Sequence, residues 1–402
     1  MHVTLRFGPV FLCVLCTLCV LRSVSAQEPP AAQAVSPEQL RAAIDKLGDL
    51  DYATRTSASK VVRRTSPAQA VPALTQAVSD HADGYVRYRA LVLLTGFNDP
   101  RAVASMRESV ASPNDRLRSV AYRFFEHNPD RSMIRSFIAA LDKEQGEFVR
   151  PSLVRALAAA AAGAAGDEGA QARAVLLKEV GRGEDYFRSA VIEALGDYKA
   201  GYAFDALAGI ARLEGPLQDD AALALGKIGD KRALETLAQL QRTAPRQYQP
   251  SIAAAICLLG VNCETHANFL GETLKFADKH VGYQELLRGA AMGLASLGVA
   301  GHAEAAAVLF DVGLPSRDPA RAPIALALGT IALRNAPLLL PLLEQRPDRD
   351  QAMALLAEGF DMLEEDLEKE RFFAFARRTF WASPQDSPRR ALMQTLIGKL
   401  DF

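Results

Sequence analysis

Cys257, Cys263 and His266 stand at C-x5-C-x2-H spacing, and such a set offers three chemistries. In an oxidising compartment two thiols this close most simply form one disulfide, which would pin the loop after a helix ending near Gly260. The same spacing could serve a metal site, but that needs a fourth ligand, and only distant His280 follows in sequence. Two free buried thiols are the third reading. The remaining mature histidines, His81, His127 and His302, are scattered along the chain. No H-E-x-x-H, G-x-S-x-G or P-loop motif is present, so the signatures of zinc peptidases, serine hydrolases and nucleotide phosphate cradles are missing. No catalytic residue, metal or cofactor is expected.

A second chemical feature lies near the C-terminus. Residues 361–370 are strongly acidic, and Arg371, Phe372, Phe373, Phe375, Arg377, Arg378, Phe380 and Trp381 follow at once. Acidic residues early and basic residues late suit one long helix and its dipole. Phe372 and Phe375 share one face and Phe373 and Arg377 another, so the helix is apolar on more than one side. Either both sides pack between the preceding element and a terminal cap, or Phe372, Phe373, Phe375, Arg377, Phe380 and Trp381 form an aromatic anchor for a partner protein. Such a helix could also pair two copies of the chain. The adjoining acidic run weakens a reading as membrane-surface contact.

The elements that carry these residues repeat. Arg55, Arg87, Arg118, Arg150, Arg188, Arg288 and Arg321 recur, with Gln218 and Gln249 in two degenerate places, at steps of 32, 31, 32, 38, 30, 31, 39 and 33 residues. A period near 31 means stacked copies of one small unit rather than a single globular core. Phe187, Val191 and Ala194 form one helical stripe, and Phe204, Leu207 and Ala211 a second, with Gly196 and Asp197 between them. Gly229 is placed to end a helix and Asp230 to cap the next. Ser36 and Ser66 each precede a glutamine by three residues, as in a capping box. Asp99-Pro100 places a capping side chain before a proline at the first helical position. No stretch alternates with period two for long enough to argue a strand. The chain reads as an all-α solenoid of about ten helical hairpins. With helices about 8–10 Å apart it would form a curved rod on the order of 90–100 Å long. Aligned second helices would line its concave face. The two long steps read as loop insertions at 162–169 and 262–282.

The first 26 residues read as a signal peptide. Arg6 precedes an apolar run from Phe7 to Leu21, and Val24-Ser25-Ala26 offers small residues at the cleavage positions. The expected organisation is therefore a leader over 1–26, a flexible linker over 27–35 and a continuous solenoid with a C-terminal cap over 36–402. Export to a periplasm or the exterior follows as an expectation. Ala322–Leu343 is apolar but interrupted by Arg334, Asn335, Pro337 and Pro341, so buried solenoid helices explain it better than a membrane span. Without the leader 44 basic residues face 47 acidic ones, which gives no electrostatic reason to expect nucleic acid. Arg63-Arg64, Arg377-Arg378 and Arg389-Arg390 read as solvated helix faces.

Residues 229–237 and 98–103, with Val86-Arg87 and Phe187-Arg188, resemble HEAT-like repeats, in particular the short bacterial type named after phycobilisome lyases. The resemblance covers roughly residues 37–402. It implies that the first-helix arginine and the turn aspartate stack into polar ladders, assigning Arg87, Asp99, Arg118, Asp130, Arg150, Arg188 and Asp230 a structural role. It also admits enzymes: di-iron hydroxylases of this architecture carry repeated His-Glu pairs, and this chain has no His-Glu dipeptide. The function these readings support is a non-enzymatic scaffold or adaptor that binds another protein. The alternatives are an enzyme or accessory protein of the lyase type, or a structural subunit of an envelope or secretion complex.

Overall fold

The computed structural model describes residues 35–400 and 402, so the leader and nearly all of the linker lie outside the described residues. Among the described residues there are 21 α-helices and no strand. Helices pair in the order the motif sets. A first helix carries the motif residue near its start, as in Gly84–Thr95, Asp115–His127, Arg150–Ala162, Asp185–Asp197 and Gln218–Ile228. A second helix returns behind it, as in Pro100–Ser109, Ile134–Leu141, Gly166–Glu179, Phe204–Ala211 and Ala233–Thr243. Local punctuation follows the chain's side chains. Ser36 and Gln39 close a reciprocal capping box, Asp99 caps the helix at Pro100, and Gly229 takes the left-handed conformation that ends a helix. At Ser66 the hydroxyl bonds the Gln69 side chain instead of a backbone N–H.

In five of the nine units the motif residue caps the helix before it. Arg87 Nε donates to the Val78 carbonyl at 2.7 Å, and Arg188 Nε to Val180 at 3.1 Å. Gln218 Nε2 reaches Ala211 at 3.0 Å, Gln249 Nε2 reaches Ala244 at 2.9 Å, and Arg321 Nη1 reaches Gly313 at 2.9 Å. The last carbonyls of a helix lack intrahelical donors and carry the negative end of its dipole, so a long cationic or amide donor satisfies them. The expected arginine–aspartate ladder is absent among these residues. Asp99, Asp130 and Asp230 instead accept the backbone N–H of Arg101, Ser132 and Arg232, Asp99 capping its second helix and the other two tying the turn ahead of theirs. Of these three, Asp130 alone reaches another unit, through Arg107. Arg118 grips Glu144 at 2.7 and 2.9 Å, while Arg150 pairs with Glu179 and lies 3.9 Å above the Phe187 ring.

First helices, not second helices, form the inner layer. A methyl added at Gly196 would come within 2.8 Å of the Ala224 Cα, Gly226 faces Ala255 as closely, and Gly329 and Gly359 face each other. Small residues let these backbones approach, which shortens the inner layer relative to the outer and curls the stack. The two long steps are not loop insertions. Gly166–Glu179 and Cys263–Lys279 are second helices of 14 and 17 residues, and the extra chain is helical. Arg321–Gln345 is long and apolar enough to cross a membrane by length and composition. Its backbone breaks at Asn335, and Ile324, Leu328, Ile331, Leu339 and Leu340 are buried between neighbours, so its halves serve as one hairpin.

The curl is tight enough to close. The sequence leads one to expect an open rod, yet helix Asp366–Ala382 leaves the stack and lies against Gly84–Thr95 and Asp115–His127. Its Leu367 is buried in the apolar core of the N-terminal units. Phe372 and Ala376 of the same helix are buried in the core of the C-terminal units. One helix thus belongs to both ends, and the solenoid is a ring. Helix Pro388–Leu400 packs on this closing helix rather than capping a free end.

Candidate functional site

The seam of the ring is held by charge. Asp366, Glu368 and Glu370 lie on the first turns of the closing helix and meet one arginine each from three successive first helices. Arg63 donates to Glu370 at 2.7 and 2.8 Å, with side chains only 6% and 1% exposed. Arg89 reaches Asp366 at 2.6 Å, and the Tyr88 hydroxyl bonds the same oxygen. Arg123 pairs with Glu368 at 2.9 Å, and His127 lies 3.4 Å from its other oxygen. Burial alone would raise the Glu368 carboxyl; the Arg123 charge and the His127 bond outweigh it and hold the group well below the usual carboxylate range. Asp366 follows the same balance, with burial opposed by Arg89 and Tyr88. The expectation that Arg63-Arg64 is a solvated face fails at Arg63, because a carboxylate more than 300 residues away claims it.

Further charges line the lumen. Arg155 bonds Glu126 and Asp197, both at 2.7 Å. Lys227 bonds the other Asp197 oxygen at 2.7 Å, and the Tyr198 hydroxyl donates to Glu126 at 3.0 Å. Arg334, from the kinked helix Arg321–Gln345, comes within 3.9 Å of Asp197 from across the lumen. Sequence reasoning passed over these residues, although the register marks them. Arg123, Arg155 and Glu193 each stand five positions after a motif arginine.

The expected partner anchor is largely spent inside the molecule. Phe372 is buried against Phe360. Phe373 stacks on Phe402 at 4.0 Å beneath the Arg63 guanidinium, and Phe375 packs on the C-terminal core. Arg377 lies 3.7 Å from Glu370. Arg390 sits over Phe380 and Trp381, and Trp381 keeps 43% of its surface exposed. Arg389 pairs with Glu344. Neither charge pair is a solvated face.

Cys257 and Cys263 are joined by a disulfide. The histidine beside it is His302, whose Nδ1 is 3.9 Å from the Cys263 sulfur. His266 stands apart from the bridge, with burial lowering its pKa. His280 stacks on Phe276 at 4.2 Å. The C-x5-C-x2-H metal arrangement therefore does not assemble.

Several cavities open on the molecule, and two of them bear on the lumen charges and the seam. One, about 280 Å³, has Phe148 and Tyr186 at its mouth, with Ser152, Ser189, Arg155 and Glu193 behind them. Phe148 is 79% exposed and Tyr186 57%. Each stands two residues before a motif arginine, so they occupy the same register in neighbouring units. The other, about 640 Å³, lies at the seam, between residues 95–128 and residues 332–378.

A family model described as HEAT repeats matches residues 38–125. The chain is a HEAT-like α-solenoid. No curated protein matches it in sequence. Among solved structures, this HEAT-like solenoid is similar to YibA of Escherichia coli at 17% identity and a TM-score of 0.40, covering 56% of this chain and 82% of that one. Yeast importin-β (Kap95p) aligns at 13% identity and a TM-score of 0.41, over 93% of this chain and 58% of that one. Human deoxyhypusine hydroxylase, solved in complex with glycerol, aligns at 17% identity and a TM-score of 0.29, over 68% and 98%. Likenesses of this size say nothing about activity.

Proposed function

We propose that this protein is an exported, non-enzymatic scaffold that binds another protein through the rim of its ring. The observation that carries the reading is the pair Phe148 and Tyr186, two large exposed aromatic side chains that successive units supply to one cavity. Aromatic residues are enriched among the anchors of protein interfaces, where they fill pockets on a partner. Concave-face binding is not part of the proposal, because ion pairs and the closing helix occupy that face. The closing helix has both sides engaged within the molecule, so we do not assign it to a second copy. Export is supported by the Arg6, Phe7–Leu21 and Val24-Ser25-Ala26 pattern and by a disulfide of the kind that oxidising compartments sustain.

Proximity crosslinking of the intact protein in its own cell fraction tests this. A stoichiometric protein partner captured by the wild type and lost with Phe148→Ala plus Tyr186→Ala is the expected result. Capture unchanged by the double substitution would move the interface elsewhere. Absence of any protein partner would remove the scaffold reading, and recovery of the protein in the cytoplasmic fraction with its leader intact would remove export.

A further inference from the structure

The seam cavity has walls from both ends of the chain. Phe124 and Val103 face it from the N-terminal units, and Leu333, Pro337, Phe372 and Phe375 from the C-terminal side. Its volume, about 640 Å³, lies within the range of pockets that enclose small molecules. The polar lining is rich in donors. Arg334, Arg371 and Arg378 line it together with the amides of Asn98 and Asn128, against the single carboxylate of Asp99. That carboxylate is already held by both arms of Arg101 at 2.8 Å.

Two of these guanidinium groups have unfilled capacity. Among the described residues Arg371 makes no ion pair and no hydrogen bond. The carboxylates whose field it feels, Glu368 and Glu126, are taken by Arg123 with His127 and by Arg155 with Tyr198. Arg334 approaches Asp197 only to 3.9 Å, and Asp197 already receives Arg155 and Lys227 at 2.7 Å each. Both side chains are exposed at the cavity wall, and Arg334 disfavours the neighbouring Arg371 charge. Two like charges on one cavity wall gain from an anion that bridges them.

We propose that the seam cavity binds a small organic anion, a carboxylate or phosphate head on an apolar body, with Arg334 and Arg371 taking the head. The aromatic and aliphatic walls would cover the body. Such a ligand would touch both ends of the solenoid and so favour the closed ring, since whatever binds one state preferentially stabilises it.

Calorimetric titration of the intact protein with octanoate, octyl phosphate and octanol tests this, with hydrogen exchange locating the site. Octanoate or octyl phosphate should bind, octanol should bind at least about tenfold more weakly, and exchange should slow in 84–128 and 366–382. Arg371→Gln should cost about tenfold or more in affinity while leaving the circular dichroism unchanged. Arg334→Gln provides a second variant should the first misfold. Equal affinity for octanol, affinity unaffected by both substitutions, protection confined to other helices, or no binding of either anion up to about 10 mM would each overturn the assignment.

Discussion

Arg87, Arg188, Arg321, Gln218 and Gln249 share a task that residue type alone leaves ambiguous, which is to donate to the orphan carbonyls at the end of the preceding helix. This explains why glutamine can stand in for arginine: the position requires reach and an N–H, and the charge is secondary. Arg87→Gln should accordingly keep most of the stability, whereas Arg87→Leu should cost about 1–3 kcal/mol by leaving the Val78 carbonyl without its donor. Urea midpoints of the two variants check this, and equal losses would contradict the capping role. The recurrence was legible in the sequence, but the partner was not. An arginine side chain reaches a carbonyl nine residues back as easily as an aspartate in the next unit, and spacing cannot choose between them. Arg63 differs for the opposite reason, since the adjacent Arg64 suggests a solvated face while its true partner is Glu370.

At the scale of elements, helix number and order were legible because apolar stripes at 3.6-residue period are strong in most units. The inner layer was not, because alanine and glycine satisfy both an exposed loop and a close helix contact. That ambiguity turned the 162–169 stretch into an expected loop where a helix begins at Gly166. Gly226→Val should force the facing helix at Ala255 away and cost about 1–3 kcal/mol by overpacking. Gly201→Val, where an added side chain meets nothing, should cost less; thermal midpoints compare them. The closing helix makes a pH prediction. Glu368 and Asp366 titrate below their unfolded values, near 4. Their contribution is therefore fully present above about pH 4 and is lost as pH falls through the lower folded values. Hydrogen exchange in 366–382 should accelerate between about pH 4 and pH 2, ahead of exchange in the inner helix Gln284–Val299. Uniform acceleration across the chain would count against a charge-held seam.

For the whole molecule, the solenoid class was legible and the closure was not. Curvature accumulates from small differences in helix spacing at every unit, none of which is written in any one residue. Asp366, Glu368 and Glu370 and the scattered arginines Arg63, Arg89 and Arg123 carried the needed complementarity, each pair separated by more than 240 residues. Ending the chain after Met362 should open the ring, and small-angle scattering should report a larger radius of gyration for that variant than for the intact protein. An unchanged radius would mean that curvature alone holds the shape. Closure also alters how the molecule comes apart. An open stack of repeats melts inward from its two ends, one unit at a time, because each end layer has a neighbour on one side only. A stack whose ends are bolted together has no layer from which to begin, so unravelling must first pull Arg63, Arg89 and Arg123 off the closing helix. A helix more than 240 residues further along the chain thus denies Arg63, Arg89 and Arg123 and the helices that carry them their freedom to fray.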